Sequence, residues 1–161
     1  AINKYSRSKI RCENKILNYS KKYKLDYFIF RIFNVYGGNN FNRGVVSDLI
    51  NKFRKYKTFN LHYSQNTRDF INLDDLSNLF LKSLLINKSG VFDVGSGKSI
   101  SIRKLAVSIK KVFKFNSNLI FVKPVKSSKN NYSKSNIYNT KLVFSWKPKI
   151  DLTKGLKKLS F

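Results

Sequence analysis

Apolar residues follow two alternating rhythms along this chain. In residues 3–23, Ile10, Ile16 and Leu17 recur at helical spacing with Glu13 among them, and lysines fill the remaining positions. Residues 26–33 break that rhythm with a continuous run, Tyr27-Phe28-Ile29-Phe30. Such a run predicts a parallel strand buried on both faces. The helical period returns over 45–56, where Val46, Leu49, Ile50 and Phe53 form a stripe. Short strands are predicted at 60–62 and 70–73. A helix then runs from Asp74-Asp75 to about Ile86, its acidic start suiting a cap and the positive end of the helix dipole. Residues 91–94 predict a strand that ends at Gly95-Ser96-Gly97, and Ser99 or Ser101 caps a helix to about Phe115. A strand over 119–122 stops at Pro124, and short helices over 140–144 and 152–159 close the pattern.

Alternation of helices and strands predicts an α/β fold. Gly37-Gly38-Asn39-Asn40 reads as a loop. Residues 126–136, rich in lysine, serine and asparagine, read as an exposed loop. No internal repeat is visible. No glycine-rich phosphate loop follows an early strand, and Gly95-Ser96-Gly97 is too short and too late for that role. The pattern predicts a fragment that opens on a helix.

Composition narrows the classes. A chain of 161 residues with 42% hydrophobic content can bury one ordinary core. No apolar run is long enough to cross a bilayer, and the first residues lack the order of a signal peptide. Cys12 is the single cysteine, so no internal disulfide forms, which fits a cytoplasmic protein. The only histidine, His62, lies in an unrelated segment, which argues against Cys12 as a nucleophile. No cluster suggests a metal. The formal charge of +25 would attract polyanions regardless of their sequence. Its source is mostly lysine spread along the chain, with arginine, the better phosphate fork, sparse. Neither specific nucleic-acid binding nor membrane insertion is expected.

Tyr5 and Lys9 stand at i, i+4, on one helical face. An ammonium beside a phenol favours the phenolate, moving a group of reference pKa ~10 toward working pH. A hydroxyl that loses its proton while its carbon loses hydride needs such a base. Downstream come Arg31-Ile32-Phe33-Asn34-Val35-Tyr36-Gly37, then Arg68-Asp69-Phe70-Ile71 with Asp74-Asp75, Phe92-Asp93-Val94-Gly95-Ser96-Gly97 and Trp146-Lys147-Pro148. In this order the segments resemble the C-terminal half of an extended short-chain dehydrogenase/reductase of the NAD-dependent sugar-nucleotide epimerase/dehydratase family.

The resemblance implies the C-terminal half of a Rossmann-type doubly wound parallel sheet, carried by residues 1–38, with the N-terminal nucleotide-binding half absent. Residues 39–161 would form mainly a small α/β substrate-binding subdomain, with strands returning to the core. It implies NAD or NADP as cofactor, a nucleotide-sugar substrate and a homodimer when complete. Tyr5 is then the acid/base, and Lys9 holds the nicotinamide ribose. Phe33 and Val35 form a wall near the nicotinamide, while Tyr36 and Gly37 shape the turn. Asn34 and Arg68 bind substrate, Arg68 by gripping a diphosphate. Lys126 stands where the family places a second diphosphate arginine, with Asn136 at a comparable position. Asp69 and Asp74 are structural, and Glu13 fits the family pattern or forms a helix salt bridge.

The expected activity is that of a nucleotide-sugar epimerase resembling UDP-glucose 4-epimerases, with the fragment alone inactive. A 4,6-dehydratase or decarboxylase of the same family is the alternative. A basic nucleic-acid-binding module and a decayed reductase domain kept for interactions are the readings from other classes.

Overall fold

The computed structural model describes residues 3–38, 43–122 and 131–159. Helix α1 (Lys4–Tyr23) starts where the Asn3 side chain accepts a hydrogen bond from the Ser6 amide at 2.8 Å, and it ends on a left-handed Lys24. Strand β1 (Phe28–Ile32) pairs in parallel with β5 (Gly90–Val94), setting Phe30 opposite Phe92 and Arg31 opposite Asp93. The chain breaks at Phe33, whose amide donates to the Val94 carbonyl at 2.9 Å. It resumes as β2 (Asn34–Tyr36), which pairs in parallel with β4 (Thr67–Asn72).

Between β2 and β4 come α2 (Val45–Lys55) and β3 (Thr58–Leu61), and after β4 comes α3 (Leu73–Ser83). Strand β6 (Ser99–Ser101) runs antiparallel to β4 and leads through the Ser101 cap into α4 (Ile102–Phe113). Strand β7 (Asn118–Phe121) pairs in parallel with β3. Helices α5 (Tyr138–Phe144) and α6 (Leu152–Lys157) finish the chain. Among the described residues no helix is long and apolar enough to cross a membrane.

Two hydrophobic cores result, and β4 divides them. Successive strand side chains point to opposite faces. Phe70 therefore joins a core built on α2, α4 and Leu156 of α6, whereas Ile71 joins one built on α3, β5, Phe144 and Trp146. The second core is strongly aromatic: Phe28, Phe30, Phe92 and Phe144 meet with ring centroids 4.9–6.2 Å apart.

Several expectations need correction. The run over 26–33 holds the expected strand, but that strand is not buried on both faces: Arg31 and Ile32 are exposed. β1 leaves β5 at Phe33 so that the following residues can pair with β4. No residue of α1 is buried, and its Ile10, Ile16 and Leu17 remain 37–45% exposed. Helix α3 is capped by Asn72, which accepts from the Asp74 amide at 2.9 Å, and not by Asp74 or Asp75. Asp75 instead accepts from the backbone amides of Lys149 and Ile150, and its carbonyl accepts from the Trp146 indole. Within 126–136 the described part is not an exposed loop throughout, since Ser135 is buried. Residues 39–40, Pro124 and 126–130 lie outside the described residues.

Tyr36 is not a turn residue: it is the buried end of β2. A methyl group at Gly155 would run into the Tyr36 hydroxyl, so only glycine lets α6 approach this closely. Gly37 does make the turn, with φ of 106°. Burial pushes the Tyr36 phenol up to about 12. A raised folded value means this contribution is complete below the unfolded value and fades as pH rises through the folded one. Denaturant unfolding from about pH 9 to about pH 11 should therefore show a loss of stability, since the unfolded phenol ionises near ~10. Part of that loss should be missing in Tyr36→Phe.

Candidate active site

Tyr5, Lys9 and Glu13 follow one another along the face of α1 that lies over β1. Beneath them opens a cleft of about 750 Å³, lined also by Phe33, Asn34, Arg68 and Ser133. Tyr5 and Lys9 come from α1, Phe33 from the break between strands, Asn34 from β2 and Arg68 from β4. The cleft lies where β1 ends, at the carboxyl end of a parallel strand, where open α/β sheets put their ligands.

The Lys9 ammonium sits 5.4 Å from the centroid of the Tyr5 ring. The ammonium lies over the face of that ring, a cation–π contact. Tyr5 is 68% exposed, so its hydroxyl is open to a ligand entering the cleft. Ser8 is committed locally, its hydroxyl donating to the Tyr5 carbonyl at 2.7 Å.

Arg68 is pre-set for an anion. Its Nη1 donates to the carbonyls of Thr67 (2.8 Å) and Asn131 (3.0 Å), which among the described residues leaves Nε and Nη2 for a ligand. Asn34 donates from Nδ2 to the Asp69 carbonyl at 3.0 Å, leaving its side-chain oxygen and second N–H as ligand contacts. Both residues also line a second cleft of about 430 Å³ that continues past Asp48, Lys52 and His62. A molecule gripped at Arg68 can extend in both directions.

Asp69 fixes this arrangement. Its buried carboxylate accepts five hydrogen bonds: from the amide and hydroxyl of Ser96 (2.7 and 2.6 Å), the Gly97 amide (3.0 Å), and the amide and hydroxyl of Ser135 (3.1 and 2.5 Å). Gly95 is required beside it, because a Cβ there would meet Ser135 Oγ and Asp69 Oδ2. The segment bearing Asn131 and Ser133 is thereby anchored against β4.

Of the residues predicted from sequence, Tyr5, Lys9, Phe33, Asn34 and Arg68 converge on the cleft. Val35 does not. The alternation of β2 turns it away from Asn34 and packs it against the aromatic core. Lys126 lies outside the described residues. Asn136 donates its amide to Asp93 Oδ2 at 3.3 Å and its side chain accepts from Tyr138, so it serves the start of α5. Glu13 forms no ion pair within its own helix: it accepts from Arg31 of β1 at 3.0 Å (Nε) and 2.6 Å (Nη2). Hydrogen bonding from Arg31 holds the Glu13 carboxyl below the usual carboxylate range. Ser133 had no sequence signal, since a serine among lysines and asparagines reads as an ordinary loop residue. Among the described residues no group of acidic, histidine or cysteine side chains is arranged to hold a metal.

The model of the NAD dependent epimerase/dehydratase family matches residues 1–95. A provisionally named UDP-glucose 4-epimerase of Methanocaldococcus jannaschii is 30% identical over 98% of this chain and 52% of its own length. The structure of a UDP-glucose 4-epimerase from Thermotoga maritima superposes with a TM-score of 0.83 over 96% of this chain and 51% of that one, at 23% identity. The Helicobacter pylori ADP-L-glycero-D-manno-heptose-6-epimerase superposes with a TM-score of 0.80 over 97% and 49%, at 25% identity. The chain thus spans about half the length of these relatives.

The Asp69 hub yields a direct test. All five of its partners are donors, so an amide NH2 in place of one oxygen would face N–H and O–H groups. Asp69→Asn should cost about 3 kcal/mol of stability. Chemical denaturation would measure it, and a loss within experimental error would remove the hub from this role.

Proposed function

We propose, on the premise that this chain belongs to the NAD-dependent epimerase/dehydratase family, that it is the substrate-binding half of a nucleotide-sugar epimerase. The observation that carries this reading is the convergence of Tyr5, Lys9, Phe33, Asn34 and Arg68 from separate elements on one cleft. Arg68 holds the diphosphate through its free guanidinium edge. The hexose then lies toward Tyr5, and the nucleoside extends into the cleft beside His62. Tyr5 removes the proton from the hexose hydroxyl, and Lys9 balances the charge that passes through the phenolic oxygen. Asn34 orients the sugar with the side-chain contacts that Asp69 leaves free.

The residues present suit the nicotinamide end of NAD: Lys9 for the ribose hydroxyls, Tyr5 beside it and Phe33 as a wall. When bound, NAD supplies the hydride acceptor and donor. A glycine-rich phosphate loop is not found in these 161 residues, so they alone are not expected to turn substrate over. The exposed Ile10, Ile16 and Leu17 of α1 suit a helix that is covered in a complete homodimeric enzyme.

The test uses the chain joined to a nucleotide-binding half. Tyr5→Phe should lower epimerase turnover by roughly 10²–10⁴-fold while nucleotide-sugar binding persists. Turnover close to that of the parent would remove Tyr5 from its role. Arg68→Lys keeps the charge but not the fork, so it should weaken nucleotide-diphosphate binding about tenfold in calorimetry.

A further inference from the structure

Backbone conformation singles out one residue of the cleft beside His62. Among the described residues, four that are not glycine have positive φ: Lys24, Tyr63, Lys114 and Ser145. Lys24, Lys114 and Ser145 are the C-caps of α1, α4 and α5, where a left-handed residue closes a helix. Tyr63, with φ of 52°, caps nothing: it stands in the turn between β3 and β4 and lines the cleft. A bulky side chain is unfavourable in this region, where glycine is at ease. The turn is nevertheless held by bonds of this chain. The Asn66 amide donates to the Tyr63 carbonyl at 3.0 Å. Ser64 and Asn66 offer their carbonyls to the amides of Arg103 and Ile102, at 2.9 Å each, where α4 begins. The Asn66 side chain accepts from the Asn131 amide at 3.0 Å. Leu61 and Ser64, on either side of the tyrosine, are buried, whereas Tyr63 joins neither hydrophobic core. Its place is the wall of the cleft.

We propose that Tyr63 is the platform on which the nucleobase of the ligand stacks. This inference rests on the reading that sends a nucleoside into this cleft, and it adds the residue that receives the base. Asn34 and Arg68 line both clefts, so a diphosphate held at Arg68 sits at their boundary, with the sugar on the Tyr5 side. The nucleoside is then directed toward residues that line the second cleft alone. Tyr63 carries the largest aromatic face among them. Stacking needs a flat ring held in place rather than a matched set of donors, and every base has a face that can use it. The turn supplies the fixed placement through its bonds to α4 and Asn131. Backbone strain of this kind persists where surrounding structure over-determines it, and it collects at ligand sites.

Glycine at this position tests the proposal, because stability and affinity should move in opposite directions. Tyr63→Gly relieves the left-handed strain and should raise the melting temperature of the chain by about 2–4 °C. The same variant should bind UDP about tenfold more weakly in calorimetry. Inorganic pyrophosphate, which has no base, should bind it as well as it binds the parent. Tyr63→Phe keeps the ring and should keep the UDP affinity. Equal UDP affinity in the parent and Tyr63→Gly would overturn the proposal. So would an equal loss for UDP and pyrophosphate, which would mark a change of shape at Arg68 instead of a lost stacking partner. In both of those cases the parent still binds UDP, so the reading of the cleft as a nucleotide site stands. A parent that binds neither probe would overturn that reading and this inference together.

Discussion

A single buried carboxylate holds the candidate site in shape. Asp69 is fully buried, and that costs free energy unless every oxygen is satisfied. Its five donors come from the turn after β5 and from the segment before α5. The same residue offers its backbone carbonyl to Asn34. Three parts of the chain far apart in sequence meet at this residue, and Arg68 stands immediately before it. The guanidinium inherits its placement from that junction, because the Asn131 carbonyl that orients it belongs to the segment Asp69 anchors.

Around this junction the sheet geometry decides what faces the ligand. At Phe33 the chain passes from pairing with β5 to pairing with β4, which brings Asn34 beside the end of β1. β4 then sends alternate side chains into two different cores. The cleft lies at the end of β1, lined by polar groups of α1, β2 and β4 beside Phe30 of the aromatic core. Polar groups can be placed there without the desolvation cost they would carry inside. The Tyr5–Lys9 helix meets β1 through the Glu13–Arg31 ion pair.

Much of this was legible in the sequence because local rules and tertiary packing agree. The apolar stripe of 45–56 and the run over 91–94 became α2 and β5 almost as predicted, since each buries the residues its period marks. Tyr5 and Lys9 stood out by their i, i+4 spacing, Asn34 and Arg68 were expected from the family resemblance, and all four line one cleft. What was not legible depended on long-range partners. No local signal marks 34–36 as a further strand, because that strand exists to pair with β4. The cap of α3 was misassigned since Asn72, Asp74 and Asp75 are all good capping residues, and only tertiary contacts commit Asp75 to Lys149 and Ile150. Val35 was expected near the nicotinamide from the family resemblance, yet strand alternation packs it against the aromatic core. The role of Ser135 comes entirely from Asp69, sixty-six positions earlier.

These features combine into a cleft with distinct chemical ends: a phenol and an ammonium at one, a pre-oriented guanidinium between, and a polar extension beside His62. The nucleotide sugar proposed as substrate has matching parts in the same order. The most direct measurement is a nuclear magnetic resonance titration of the isotope-labelled chain with UDP-glucose. The account predicts perturbations concentrated at Asn34, Arg68, Ser133 and the first turns of α1. Saturable binding whose perturbations fall on α4 and β7 and leave those residues unmoved would contradict it.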